Sequence, residues 1–117
     1  MYVFVYGTLK KGFSNNYFLE DAKFIAKATM KDKFPMVNII QAYPYIINDA
    51  GNGHNVEGEL YKIDESILAR LDMLEGYPDH YDRRRVTILA ENKEYRSIVY
   101  FIKKKIDYTN LELLKKF

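Results

Sequence analysis

The 117-residue chain has no cysteine and no tryptophan. Without cysteine there can be no disulfide, no thiolate catalysis and no cysteine-ligated zinc, and the lack fits a cytoplasmic location. Histidine is nearly absent as well. His54 and His80 stand alone, in no metal-ligand spacing such as His-x-x-x-His, so no metal is expected. No apolar run approaches the roughly 20 residues that span a bilayer. The first residues read directly as a strand rather than as a basic and then apolar leader, so neither a signal peptide nor a membrane partner is expected. No charge dominates either: 18 basic residues against 16 acidic leave +2, too balanced to argue for a nucleic-acid partner. Ser14, Ser66 and Ser97 lack the Gly-x-Ser-x-Gly context of a serine nucleophile. Gly7 and Gly12 have the spacing of a phosphate loop, but Phe13 and Ser14 follow where Lys and Ser or Thr are required.

What remains is the composition of one ordinary globular domain, residues 1–117, with 48% apolar and 29% charged residues. Eleven tyrosines are the unusual count. They suit both a small β-rich core and the wall of a pocket, since each has an apolar body and a polar tip.

Along the chain, Tyr2 to Tyr6 is β-branched and aromatic throughout and reads as a central strand stopped by Gly7. Ser14 or Asn15 is placed to cap a short helix over Tyr17 to Asp21. Lys23 to Lys31, Pro35 to Ile40 and Pro44 to Ile47 read as further strands. Asn48 to Asn55 has turn chemistry and is expected to be a hairpin tip leading into a strand over Val56 to Ile63. Gly58 inside that strand implies a bulge or the close approach of another backbone. Tyr81 to Ala90 and Glu94 to Ile102 form a second hairpin around Glu91-Asn92-Lys93, and Asn110 to Lys116 has a short helical pattern. Many short strands with one good helix predict an α+β fold: a small mixed or antiparallel β-barrel with one main helix and short flanking helices.

That helix carries the first candidate for chemistry. Asp64 is its cap, and Ile67, Leu68, Leu71 and Leu74 make one apolar stripe that Glu75 continues. Gly76 and Pro78 end it. A carboxylate is thus expected on the inward face at the negative end of the helix dipole, and desolvation and dipole both raise its pKa. A glutamate near 6–7 suits general acid–base work. The second candidate is Tyr6-Gly7-Thr8-Leu9, where a buried strand runs into small and polar residues. Consecutive backbone N–H groups there can form an anion-binding nest. Arg83 and Arg85 share strand parity with Tyr81, which directs one of them toward Glu75; Arg84 reads as a solvated edge.

Three segments in order carry a resemblance. Val5-Tyr6-Gly7-Thr8-Leu9-Lys10, then Val56-Glu57-Gly58-Glu59-Leu60-Tyr61, then Leu74-Glu75-Gly76-Tyr77-Pro78 with Tyr81-Asp82-Arg83 resemble the γ-glutamylcyclotransferase-like proteins, and within them the γ-glutamylamine cyclotransferases. The likeness runs from Tyr2 to about Phe101. It implies a small β-barrel with an open cavity and cyclisation of a γ-glutamyl amide to 5-oxoproline and a free amine, without cofactor. It also implies that Glu75 stands where the family has its catalytic glutamate and that Tyr6, Gly7, Thr8 and Leu9 bind the γ-glutamyl group. Tyr100 and Arg83 are further candidates for the same cavity. Two alternatives stay open: a non-catalytic metabolite-binding or interaction module on this fold, and removal of a γ-glutamyl protecting group in a biosynthetic pathway.

Overall fold

The computed structural model describes all residues 1–117. Seven strands and one α-helix follow in the order β1 (Tyr2–Val5), β2 (Lys23–Met30), β3 (Met36–Val37), β4 (Tyr45–Ile46), β5 (Glu57–Lys62), α1 (Glu65–Glu75), β6 (Tyr81–Ala90) and β7 (Lys93–Ile102). A single 3-10 turn, Asn16–Leu19, lies between β1 and β2. Five strands close into a barrel in the order β1-β5-β2-β6-β7. All pairings are antiparallel except the closing contact of β1 with β7, which is parallel at Val3 and Ile98. β3 and β4 form a separate two-stranded ribbon. No helix is long and apolar enough to cross a membrane.

β1 is paired along both edges, by β5 and β7, and its two faces pack into separate cores, so Val3, Phe4 and Val5 are each 3% exposed or less. Alternate residues then feed two cores. Phe4 and Tyr6 join Met30, Leu60, Ile88 and Phe101 in one, and Val3, Val5 and Leu9 join Leu71, Tyr81 and Tyr100 in the other. The second core is where α1 packs on the barrel.

Gly58 carries the closure of β1 on β5. A Cβ there would lie 2.2 Å from the Val5 carbonyl oxygen and 2.8 Å from Cζ of Phe4. Of the two expectations for this glycine, close backbone approach is the one observed; the register shift falls on β2, between Phe24 and Ala26. The β6–β7 hairpin turns on Glu91 and Asn92, both left-handed at φ 50° and 63°, as a two-residue primed turn requires. Lys93 belongs to the strand.

Three local expectations are corrected. Asn48 to Asn55 is not a hairpin tip: β4 pairs with β3 and β5 with β1 and β2, so the segment is a crossing between sheets, with His54 bridged to Phe34. The proline-punctuated strands shrink to two residues each. The tail forms no helix, so the flanking helices reduce to the 3-10 turn. The tail's main chain pairs instead along the barrel, Leu114 N–H donating to Met36 and Glu57 N–H to Lys115, and these partners outweigh the marginal propensity of a short isolated helix.

Candidate active site

Helix α1 begins as its sequence dictates. Oδ1 of Asp64 accepts a hydrogen bond from the Ile67 N–H at 2.9 Å. Ile67 and Leu71 are buried, with Leu68 and Leu74 packed against the same core. Gly76 ends the helix in the left-handed conformation, φ 67° and ψ 39°, and Tyr77 N–H returns to the Asp72 carbonyl at 2.9 Å. Glu75 is therefore the last helical residue, half-buried. Burial raises its carboxyl to about 7. Desolvation is the cause; neither a hydrogen bond nor a neighbouring charge contributes.

Glu75 lines a cavity of about 180 Å³ whose wall also includes Tyr6, Gly7, Thr8, Leu9 and Tyr100. The helix end and the bend after β1, some 70 positions apart in sequence, thus face one hollow. The bend has a definite polarity. The Gly7 carbonyl accepts from Lys10 N–H at 3.1 Å, the Thr8 carbonyl from Asn15 N–H at 3.0 Å, and the Leu9 carbonyl from Asn16 Nδ2 at 2.8 Å. The N–H groups of Gly7, Thr8 and Leu9 donate to no acceptor within the protein. In a trans peptide C=O and N–H point in opposite directions, so the Gly7 and Thr8 carbonyls, held by Lys10 and Asn15, leave the Thr8 and Leu9 N–H groups directed away from those partners. Gly7 serves here by size: a Cβ would meet Cδ of Pro44 at 2.9 Å.

Two tyrosines of this wall have committed hydroxyls. Tyr6 donates to the Tyr100 carbonyl at 2.8 Å, and Tyr100 donates to Oδ1 of Asp72 at 2.7 Å. Arg83 is not part of the wall. Its guanidinium donates to Oδ2 of Asp72 at 2.6 Å and lies over the Tyr77 ring, 4.3 Å from the centroid. Parity brought Arg83 to the correct side of the sheet, and Asp72 holds it there, beside the helix.

The cavity wall also includes residues that were not expected at a site: Asn15, Tyr43, Pro44, His80 and Tyr81. Asn15 occupies the cap position expected for it, yet its side chain makes no cap hydrogen bond; Nδ2 donates to Oγ1 of Thr8 at 2.9 Å instead. Tyr43 and Pro44 arrive immediately before β4; the strand expected from Pro44 begins at Tyr45, and nothing in its pattern marks either residue as cavity wall. Tyr81 had a signal, its parity with Arg83, but its role as wall follows from where β6 begins.

Comparison with known proteins agrees with this architecture. Residues 3–116 match the family described as gamma-glutamyl cyclotransferase, AIG2-like. A Methanocaldococcus jannaschii protein named "putative gamma-glutamylcyclotransferase" is 47% identical over 103 residues, which cover 86% of this chain and 82% of that protein. Gamma-glutamylaminecyclotransferase A of Danio rerio is 42% identical over 92 residues, covering 74% of this chain but 57% of that protein. The chain therefore spans little more than half the length of that fish relative. Among solved structures, an AIG2-like protein from Mus musculus superposes with a TM-score of 0.91 at 28% identity, covering 99% of this chain and 86% of that one. A family match over nearly the whole chain, relatives above 40% identity and a matching barrel together place this chain in the gamma-glutamyl cyclotransferase, AIG2-like family.

Proposed function

We propose that the protein cyclises a γ-glutamyl amide, releasing 5-oxoproline and a free amine, with Glu75 as general base and then general acid. The observation that carries the reading is the shared cavity: a carboxylate raised to about 7 opposite a bend whose Gly7, Thr8 and Leu9 N–H groups lack protein partners. The substrate α-carboxylate sits on those amides, a fit of anion to nest. Glu75 takes a proton from the α-ammonium. The freed amine attacks the γ-carbonyl and closes a five-membered ring, and Glu75 returns the proton to the departing amine. Nucleophile and electrophile belong to one molecule, so freezing it in the attack geometry supplies much of the roughly 7–11 kcal/mol that orientation can provide. Proton transfer adds about 10²–10⁴-fold. Tyr6 and Tyr100 shape the wall with hydroxyls already engaged, and Arg83 acts at a distance by holding Asp72.

Glu75→Gln is nearly isosteric and removes the base. It is expected to abolish release of 5-oxoproline from γ-glutamyl amines and γ-glutamyl-amino acids while retaining 5-oxoproline binding. Turnover within a few-fold of the parent protein would remove Glu75 from this role.

A further inference from the structure

The cyclisation needs a hydrogen-bond donor where negative charge develops on the γ-carbonyl oxygen, and the tyrosines of the cavity are natural candidates. Four line it: Tyr6, Tyr43, Tyr81 and Tyr100. Tyr6 and Tyr100 have given their protons to the Tyr100 carbonyl and to Asp72. A hydroxyl donates once, so neither has a proton left for a substrate oxygen. Tyr43 is 39% exposed and stands at the rim. Tyr81 differs from all three. Its side chain is 4% exposed, its hydroxyl makes no hydrogen bond within the protein, and yet its oxygen is not among the sealed, unpartnered polar atoms. The hydroxyl therefore opens on the cavity. Its ring is held from two sides, by Tyr45 with centroids 6.1 Å apart and by His80 at 5.1 Å. It is the first residue of β6, six positions after Glu75.

We propose that Tyr81 is a second catalytic residue, donating a hydrogen bond from its hydroxyl to the oxyanion that forms on the substrate γ-carbonyl. This rests on the cyclisation reading above. As the substrate amine attacks, the new C–N bond forms and the carbonyl π pair moves onto oxygen. Tyr81 stabilises that charge without giving up its proton. When the intermediate collapses the pair returns, C=O is restored and the bond to the leaving nitrogen breaks as Glu75 protonates that nitrogen; the ring nitrogen gives up its remaining extra proton to the departing amine, which leaves as an ammonium, and the lactam keeps one N–H. Burial and the nearby Glu75 charge both push the Tyr81 hydroxyl well above the ordinary phenol range, so it stays a donor at any working pH. Such a donor is worth most where it acts on charge present in the transition state and absent from the ground state.

The test is Tyr81→Phe, assayed for 5-oxoproline release beside Glu75→Gln, with 5-oxoproline affinity and thermal unfolding measured on the same preparations. The expected result is a loss of about 10²–10³-fold in kcat with KM within about threefold and the fold and product affinity retained. A kcat within about threefold of the parent protein, while Glu75→Gln is inactive, overturns the role of Tyr81 and leaves the cyclisation intact. An active Glu75→Gln instead defeats the underlying reading. Should Tyr81→Phe fail to fold, a difluorotyrosine at position 81 carries the test. It keeps the shape, makes the hydroxyl a stronger donor and is expected to raise kcat; an unchanged kcat overturns the proposal.

Discussion

Tyr100 and Asp72 are joined by a 2.7 Å hydrogen bond that ties β7 to the last turn of α1. The other carboxylate oxygen of Asp72 holds Arg83 of β6 at 2.6 Å. One side chain thus fastens the helix end to two strands, one turn before Glu75. Asp72→Ala leaves a hydroxyl and a guanidinium without an acceptor in a region where both ion-pair partners are only 21–26% exposed. A loss of about 1–3 kcal/mol is expected, read by urea unfolding. Activity should fall further than the unfolded fraction explains, because the Glu75 turn loses its anchor. An Asp72→Ala protein with normal kcat would show that α1 holds Glu75 without this clamp.

Glu75 should impose opposite trends on activity and stability. Its carboxyl rises from 4.5 to about 7 on folding, so the folded chain binds the proton more tightly. This favourable contribution is fully present below about pH 4.5 and is lost as pH rises through about 7. Glu75→Gln removes the charged form and is expected to stabilise the protein at pH 9, by at most about 3 kcal/mol, and to change little at pH 4. Thermal unfolding at the two pH values checks this. In the proposed reaction the deprotonated form is the base, so kcat/KM should climb with pH through about 7. A rising limb in the ordinary carboxylate range instead would assign it to another group.

Gly58→Ala should damage the barrel rather than the chemistry. The added methyl collides with the Val5 carbonyl oxygen, 2.2 Å away, and with the ring of Phe4. Neither can retreat, because Val5 pairs with Glu59 in the β1–β5 ladder and Phe4 is 1% exposed. The expected cost is about 1–3 kcal/mol from overpacking, with activity per folded molecule reduced because Tyr6 and Gly7 follow directly from Val5. Unchanged unfolding would mean that the two strands can separate locally at no cost.

Local signals served the residues that depend on neighbours in sequence. The Asp64 cap, the Ile67–Leu71 stripe and the left-handed Gly76 bound α1 correctly, because a helix satisfies its hydrogen bonds within itself. Tyr2 to Tyr6 declares a strand buried on both faces by having no polar alternation, and β1 covers Tyr2–Val5 of it. Where expectation failed, a partner distant in sequence had prevailed. Asn15 left its capping role for Thr8, and the tail exchanged helix for main-chain contacts with Met36 and Glu57. The Asn48–Asn55 segment joins two sheets because β5 finds its partners in β1 and β2. Burial, one of the two causes expected for a raised Glu75 pKa, is the one that carries the shift to about 7.

The sequence by itself determined which residues are the candidates for chemistry: a carboxylate at the inward end of the single long helix, a glycine-broken strand end, and no thiol or clustered histidine to compete with them. Those depend on spacing and residue type, which are local. Only the tertiary structure decided that they share a hollow, that the Gly7, Thr8 and Leu9 amides find no acceptor within the protein, and that the Tyr81 hydroxyl, unlike those of Tyr6 and Tyr100, is left uncommitted. Barrel closure brings β1, the end of α1 and the start of β6 together, and the allocation of each hydroxyl depends on which acceptors that closure sets within about 3 Å.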